Sequence, residues 1–398
     1  MQIESESKNN FSLFELLVLL LAIAMNVFAY VFPLLHKSII VCVNVMFLVI
    51  SGFKVKLARY HLALFGFIIF AAISLSWTPH NVNVMVIPTL GYCLISVIMI
   101  HTVLKTEDQY ITLLKGIIVS AYVLLLTLVF KYGIYSLLST RMDNSMLNSN
   151  RAGTIFSFSL FFSIFLFFKE RKIKYLFLSI PLIIFVFLCG SKSALVIAIL
   201  SVTVMILLKD GNTSQKVIKN SLFVVLLIII GYTLMMKIPV FYNIIGARFQ
   251  NFLEVLLGKQ EIIVGKNSNY MRISLAQFGI KNFLESPIFG HGLDSFRYAP
   301  GNPFPGFISH MNYVELLYNL GILGFLLYYA PFICLILCYF RIGPFINRIE
   351  GAFILGFIVY YSVYGFMGIF FNDLLEWIIL ELFCSFTLMK YKECKQVR

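Results

Sequence analysis

Residues 312–340, NYVELLYNLGILGFLLYYAPFICLILCYF, contain one charged side chain, Glu315. A helix that crosses a bilayer needs about 20 consecutive apolar residues, and this run exceeds that length. Comparable runs lie near 12–35, 38–53, 60–77, 82–104, 110–130, 152–168, 174–189, 192–208, 221–237, 349–371 and 375–389. The whole chain of 398 residues is 60% apolar and 12% charged, whereas a soluble domain is about half apolar and about a quarter charged. A water-soluble globular enzyme is therefore excluded. The net charge of +13 comes without a polar surface, which also argues against a disordered chain and against a nucleic-acid-binding domain. The expectation is an all-α polytopic integral membrane protein with about 12 transmembrane helices.

Charge placement orients these runs, because cytoplasmic connections carry an excess of Lys and Arg. With the N-terminus inside, the inner connections hold Lys54, Lys56, Arg59, Lys105, Lys169, Arg171, Lys172, Lys174, Lys209, Lys216, Lys219, Arg341 and Arg348, and the tail adds Lys390, Lys392, Lys395 and Arg398. The short outer connections hold Lys37 and Lys192. Every alternate connection is basic, so both termini are expected in the cytoplasm. The N-terminal MQIESESKNN lacks a basic n-region, and the long apolar run after it reads as an uncleaved first span rather than a signal peptide. The seven cysteines show no CxxC spacing and no zinc-type cluster, and no disulfide is expected. The chain divides into residues 1–237 with spans one to nine, a large outer loop at 238–311, and residues 312–398 with spans ten to twelve and the tail.

Long loops without a function are uncommon, so chemistry is sought in the outer connections at 131–151 and 238–311. In the larger one, 269–285 reads as a membrane-surface helix ended by Pro287, and GNPFPGF at 301–307 as an irregular stretch. Five arginines, Arg141, Arg151, Arg248, Arg272 and Arg297, lie on the outer side against the charge bias. Guanidinium groups suit phosphate or carboxylate oxygens through paired donors. The same arginines could instead contact headgroups or pair with Asp143, Glu254, Glu261, Glu285 and Asp294. His310, at the junction of loop and span, is a candidate base, or else an interfacial histidine. Glu315 sits about a turn inside the span, where a carboxylate suggests a partner. Asn312 is a candidate helix cap, and His291 between two glycines reads as a turn residue. Tyr313 and neighbouring aromatics could stack on sugar rings or belong to an interface belt. With no carboxylate pair or HxxxH spacing in the outer loops, neither a metal nor another cofactor is expected.

The run from Arg272 through ESPIFGHGLDSF to SHMNYVELLYNLGILGFLLYY resembles the signature region of the O-antigen ligase/polymerase superfamily. The correspondence rests on Arg272, Pro287, Gly290, Gly292, His310, Asn312, Glu315, Gly321 and Gly324. The resemblance implies a C-type glycosyltransferase-like membrane fold and a metal-independent, inverting enzyme acting at the bacterial cytoplasmic (inner) membrane. It implies donor and acceptor glycans linked to undecaprenyl diphosphate, surrounding membrane lipids, and a flippase and a chain-length regulator as partners; no nucleic acid is implied. The Ser–His–x–Asn–Tyr–x–Glu–Leu–Leu form ending in GILGF looks more like repeat-unit polymerases of O-antigen or capsule than like ligases that transfer glycan to lipid A core. By this resemblance His310 would be the base, held by Glu315, while Arg272, assisted by Arg151 and Arg248, would meet the leaving phosphate. Arg141, Arg297, Lys192, Asn312 and Tyr313 would contribute to substrate binding. Lys192 stands where family members often carry arginine, and Arg141 and Arg248 lack the glycine spacing described for some polymerases. A polysaccharide or lipid transporter is the rival class, and it would use ionisable residues within the membrane, for which Glu15, Lys115 and Glu381 are the candidates.

Overall fold

The computed structural model describes residues 12–78, 82–139, 148–211, 214–256, 268–343 and 345–396. Among them the regular structure is helical and there is no strand. In chain order we label α1 Leu13–Ile23, continued by a wider turn to Val31, α2 Pro33–Ile50, α3 Arg59–Ser74, α4 Val86–Val103, α5 Glu107–Tyr132, α6 Ser149–Glu170, α7 Lys174–Leu188, α8 Lys192–Leu208 and α9 Ser214–Lys237. The large loop carries α10 Ala247–Leu256 and α11 Ser268–Phe283, and the chain ends with α12 Asn312–Ile342, α13 Arg348–Tyr364 and α14 Leu374–Gln396. Six segments, Leu13–Val31, α4, α5, α6, α9 and α12, are long and apolar enough to cross a membrane. Each of the twelve apolar runs falls on a helix. The run at 349–371 is the exception in extent, because α13 stops at Tyr364 and residues 365–373 fold back as a separate connection.

Helix packing follows membrane rules. Lipid tails are as apolar as Leu, so association relies on close van der Waals fit and on polar pairs between helices. An aromatic slab fills the middle, where α6, α13 and α14 meet. Phe165 stacks on Phe353 with ring centroids 3.7 Å apart, and Phe357 stacks on Phe383 at 3.8 Å. Asn26 donates to Ser120 across α1 and α5, and Asn44 to Ser96 across α2 and α4. Outer faces remain apolar: on α9, Leu222, Phe223, Leu226 and Ile229 are exposed, as a lipid-facing helix requires.

Several charged residues inside the bundle are accounted for internally, whereas the buried carboxylate of Glu376 has no hydrogen-bond partner among the described residues. Glu15 forms a reciprocal cap with Ser12 at the start of α1, and Lys115 pairs with Glu170 at 2.8 Å. Glu381, expected near a span end, is instead fully buried. It accepts from Tyr60 at 2.9 Å and from Ser385, and meets His61 at 3.0 Å and His101 at 2.7 Å. These contacts lock α3 and α4 onto α14. At the same side of the bundle Lys169 and Lys390 share Glu107 and Glu350.

The large loop is anchored into α12 rather than lying apart from it. Leu275, Phe296 and Ala299 form a small core with Val314 and Tyr318 of α12. Helix α12 is broken at Gly321, whose φ of 62° and ψ of −169° lie outside the helical region. The turn 287–292 enters the break: Ile322 N donates to Pro287 O at 2.8 Å, His291 N to Tyr318 O at 2.9 Å, and Gly292 N to Asn319 O at 2.8 Å. Freed helix carbonyls and amides thereby regain partners, as backbone within a membrane protein must. A side chain at Gly290 would lie 2.5 Å from the backbone of Asn319 and Gly321. Gly290→Ala should therefore lower stability by about 1–3 kcal/mol. A clear fall in the melting temperature of the purified, detergent-solubilised protein is expected, and an unchanged melting temperature would show that the turn does not fill the break.

Candidate functional site

One end of the bundle gathers the finish of α1 and the starts of α2, α4, α6, α8 and α14 around a cavity of about 560 Å³. Its walls include Tyr30, His36, Lys37, Thr89, Tyr92, Asn148, Asn150, Arg151, Ser193, Arg272, His310, Tyr364, Met367, Asn372 and Asp373. Amides, hydroxyls and cations converge there from segments far apart in sequence.

His310 is presented by a strained turn. Its φ is +58°, a left-handed conformation that a residue with a Cβ holds only when the surroundings enforce it. Those surroundings are the first half of α12. Glu315 is buried and its carboxylate accepts from Ser309 N at 2.8 Å and from Asn319 Nδ2 at 3.1 Å. Asn319 in turn accepts from Phe296 N at 2.9 Å and Ser295 Oγ at 3.1 Å. Glu315 therefore grips the backbone one residue before His310. The expectation that it holds the imidazole itself is corrected: both carboxylate oxygens are engaged elsewhere. His310 Nε2 is buried and has no hydrogen-bond partner among the described residues.

Arg272 reaches the cavity from α11 and donates to Met367 O at 3.1 Å. Burial, with the charge of Arg248 second, holds its guanidinium below the usual arginine value. Arg248 is similarly lowered by burial and donates to Gly190 O at 2.7 Å, which fastens α10 to the turn before α8. An arginine stays protonated in proteins, and among the described residues neither of the two pairs with a carboxylate. Burial and then the charge of Arg272 push His310 down to about 4. The imidazole is accordingly neutral near pH 7 and able to accept a proton.

Other expected site residues are placed differently. Arg151 lines the cavity, but its guanidinium pairs with Asp373 and donates to Tyr30, so its charge is already met. Arg297 pairs with Asp294 at 2.8 Å, and is not among the residues that line the cavity. Asn312 is no helix cap. It is fully buried, donates to Tyr329 Oη at 2.8 Å and accepts from Phe370 N and Phe371 N at 3.1 and 3.0 Å, which pins the connection 365–373. Tyr313 donates to Ser362 O at 2.9 Å and packs on Tyr329 and Phe366. Both side chains clamp neighbouring segments, and neither is among the residues that line the cavity. Lys192 opens α8 beside Ser193, which lines the cavity. Arg141 lies outside the described residues.

Sequence reasoning missed Tyr30, His36, Lys37, Asn372 and Asp373 as cavity residues. The available signals were an outer-side lysine and a polar Asn–Asp pair between the apolar runs at 349–371 and 375–389. Among the described residues, the groups whose types and spacing could hold a metal are His61, His101 and Glu381, with ligand atoms within 4.8 Å of one another. His61 Nδ1 accepts the Ala58 amide at 3.1 Å, which leaves its proton on Nε2, directed at Glu381. That tautomer offers no lone pair to an ion, and the cluster is a hydrogen-bonded one.

Residues 177–329 match the family model described as O-Antigen ligase. The matched segment is less than half of the chain, yet it contains Lys192, Arg248, Arg272, His310, Glu315 and the break at Gly321. It supports a relation to the O-antigen ligase/polymerase superfamily and, with the apolar helices, a multi-pass membrane protein. None of the curated proteins matches the chain.

Because Arg272 contributes to the lowering of His310, Arg272→Ala should raise the imidazole's apparent pKa. The measurement is carbethoxylation of the His310 peptide against pH, followed by mass spectrometry. In the wild type, modification should persist down to about pH 4, and the midpoint should move upward in the variant. Identical midpoints would remove Arg272 from the electrostatics of His310.

Proposed function

We propose that this protein is a repeat-unit polymerase: a metal-independent, inverting glycosyltransferase that joins undecaprenyl-diphosphate-linked oligosaccharides on the outer face of a bacterial cytoplasmic membrane. The observation that carries the reading is the convergence, in one cavity, of a neutral histidine whose Nε2 has no hydrogen-bond partner and a half-buried arginine that has no carboxylate partner, both among the described residues. Twelve crossings with both termini in the cytoplasm would put that cavity on the outer side, where basic loops are sparse and lipid-linked glycans are displayed.

In the proposed reaction the acceptor hydroxyl attacks the anomeric carbon of the donor sugar. The new C–O bond forms as the bond to the diphosphate breaks, and the diphosphate leaves with the electron pair. The hydroxyl proton passes to His310 Nε2. Charge growing on the leaving oxygen is met by Arg272, a preorganised cation in a site poor in water. The same anion offsets the Arg272 charge felt by His310, so donor binding makes the imidazole a stronger base at the moment it is needed. The acid limb of kcat should then lie at higher pH than that of kcat/KM, since the two report bound and free enzyme respectively.

The polymerase form is favoured over a ligase by the residues around His310 and the short span of chain before it. A flippase supplying lipid-linked units and a chain-length regulator would be its partners in the membrane. Deleting the gene and separating surface glycan on gels tests the reading. A single repeat on the acceptor supports polymerase, free lipid-linked polymer indicates the ligase alternative, and an unchanged ladder defeats both and returns attention to transport. In the deletion strain His310→Ala should fail to restore chain extension, with a loss of about 10²–10⁴-fold in rate, while the protein remains at wild-type level in the membrane.

A further inference from the structure

We propose that Lys37, near the start of α2, is a diphosphate-binding residue of the cavity that acts together with Arg272. The proposal rests on the polyprenyl-diphosphate reading above and deepens it. Its first support is charge compensation within the cavity walls. Three cations, Lys37, Arg151 and Arg272, line the space. Arg151 is paired with Asp373 and also lies in the field of the buried Glu376. Arg272 has a carbonyl partner but no carboxylate, and Lys37 makes no ion pair among the described residues. Two positive charges are thus left over, which matches the ionised oxygens of a diphosphate diester, one on each phosphate.

Its second support comes from charge placement along the chain. Lysine on an outer connection runs against the usual bias, and in this chain the short outer connections carry just Lys37 and Lys192. Lys37 lines the cavity itself, and Lys192 directly precedes Ser193, which also lines it. Both departures from the bias therefore fall at one place. The chemistry also suits a lysine. Its ammonium is a point charge on a flexible stem, able to follow phosphate oxygens as the leaving group separates, whereas Arg272 is fixed by its bond to Met367. His36, beside it on the same wall, extends the polar surface.

The test uses the full-length protein in detergent, with undecaprenyl diphosphate as probe and undecaprenyl monophosphate as the single-phosphate control. Lys37→Ala should weaken diphosphate binding roughly 10- to 100-fold, the loss expected for a hydrogen bond to a charged group. Monophosphate binding should change less, and Lys37→Arg should stay close to wild type. Membrane level and melting temperature in the absence of lipid should not move. If Lys37→Ala binds the diphosphate as tightly as wild type while Arg272→Ala does not, Lys37 is not a ligand and the cavity reading survives. If the wild-type protein distinguishes neither lipid, the cavity reading itself fails and this proposal with it.

Discussion

The site depends on a backbone splice. Helix α12 cannot continue through Gly321, and the turn 287–292 supplies the hydrogen bonds that the break would otherwise leave open. In a bilayer such groups cannot fall back on water, so the turn and the helix specify each other. The consequence reaches His310 by a short path. The half-helix Asn312–Leu320 is held in place by the splice, Glu315 on it binds the amide of Ser309, and His310 follows in a backbone conformation it would not adopt unaided. Asn319 contributes from the same half-helix by holding Ser295 and Phe296. A motif that reads in sequence as two glycines, a histidine and a glutamate is thus one mechanical unit, in which most members hold the backbone around the histidine.

The twelve apolar runs could be read from composition because each is continuous and the alternation of basic connections is regular. The motif region was equally legible as a cluster. Roles within it were less so, since a sequence does not reveal which buried polar side chain satisfies which backbone group. Asn312 and Glu315 look like site residues by position, yet both are consumed by the connection 365–373 and by Ser309. For residues contributed by distant helix ends, such as Tyr30, Lys37 and Asp373, no local pattern shows that they meet. Their meeting is a product of how α1, α2 and α14 pack. The run at 349–371 misled for a related reason: residues 365–371 are apolar enough to extend a span, but Asn312 and Arg272 draw this stretch into a cavity wall.

Low dielectric makes the remaining logic quantitative. At about 4 Å two opposite charges attract by about 1 kcal/mol in water but about 4 kcal/mol at an effective dielectric constant near 20. An unpaired charge in the bundle is correspondingly unfavourable, and removing one member of a buried pair costs about 3–5 kcal/mol. Glu381 satisfies this constraint with Tyr60, His61, His101 and Ser385, and Glu107 and Glu350 with Lys169 and Lys390. A transporter would need one of these groups to exchange partners between the two faces. Glu381 is saturated by donors from α3, α4 and its own helix, an arrangement suited to joining helices.

Against that background Arg272, which lines the cavity, and its neighbour Arg248 stand out. The charge of Arg248 adds to burial in lowering the hold of Arg272 on its proton, and neither arginine makes an ion pair with a carboxylate among the described residues. Such an arrangement is costly in the empty protein and becomes favourable when an anion arrives. It also separates the two ends of the proposed chemistry. In the proposed reaction Arg151, its charge met by Asp373, would leave Asn148, Asn150 and Asn372 to meet sugar hydroxyls. Arg272 keeps the wall beside His310 positive. A donor whose glycan is polar and neutral and whose leaving group is anionic would then be oriented by charge alone, with its anomeric carbon brought toward the imidazole.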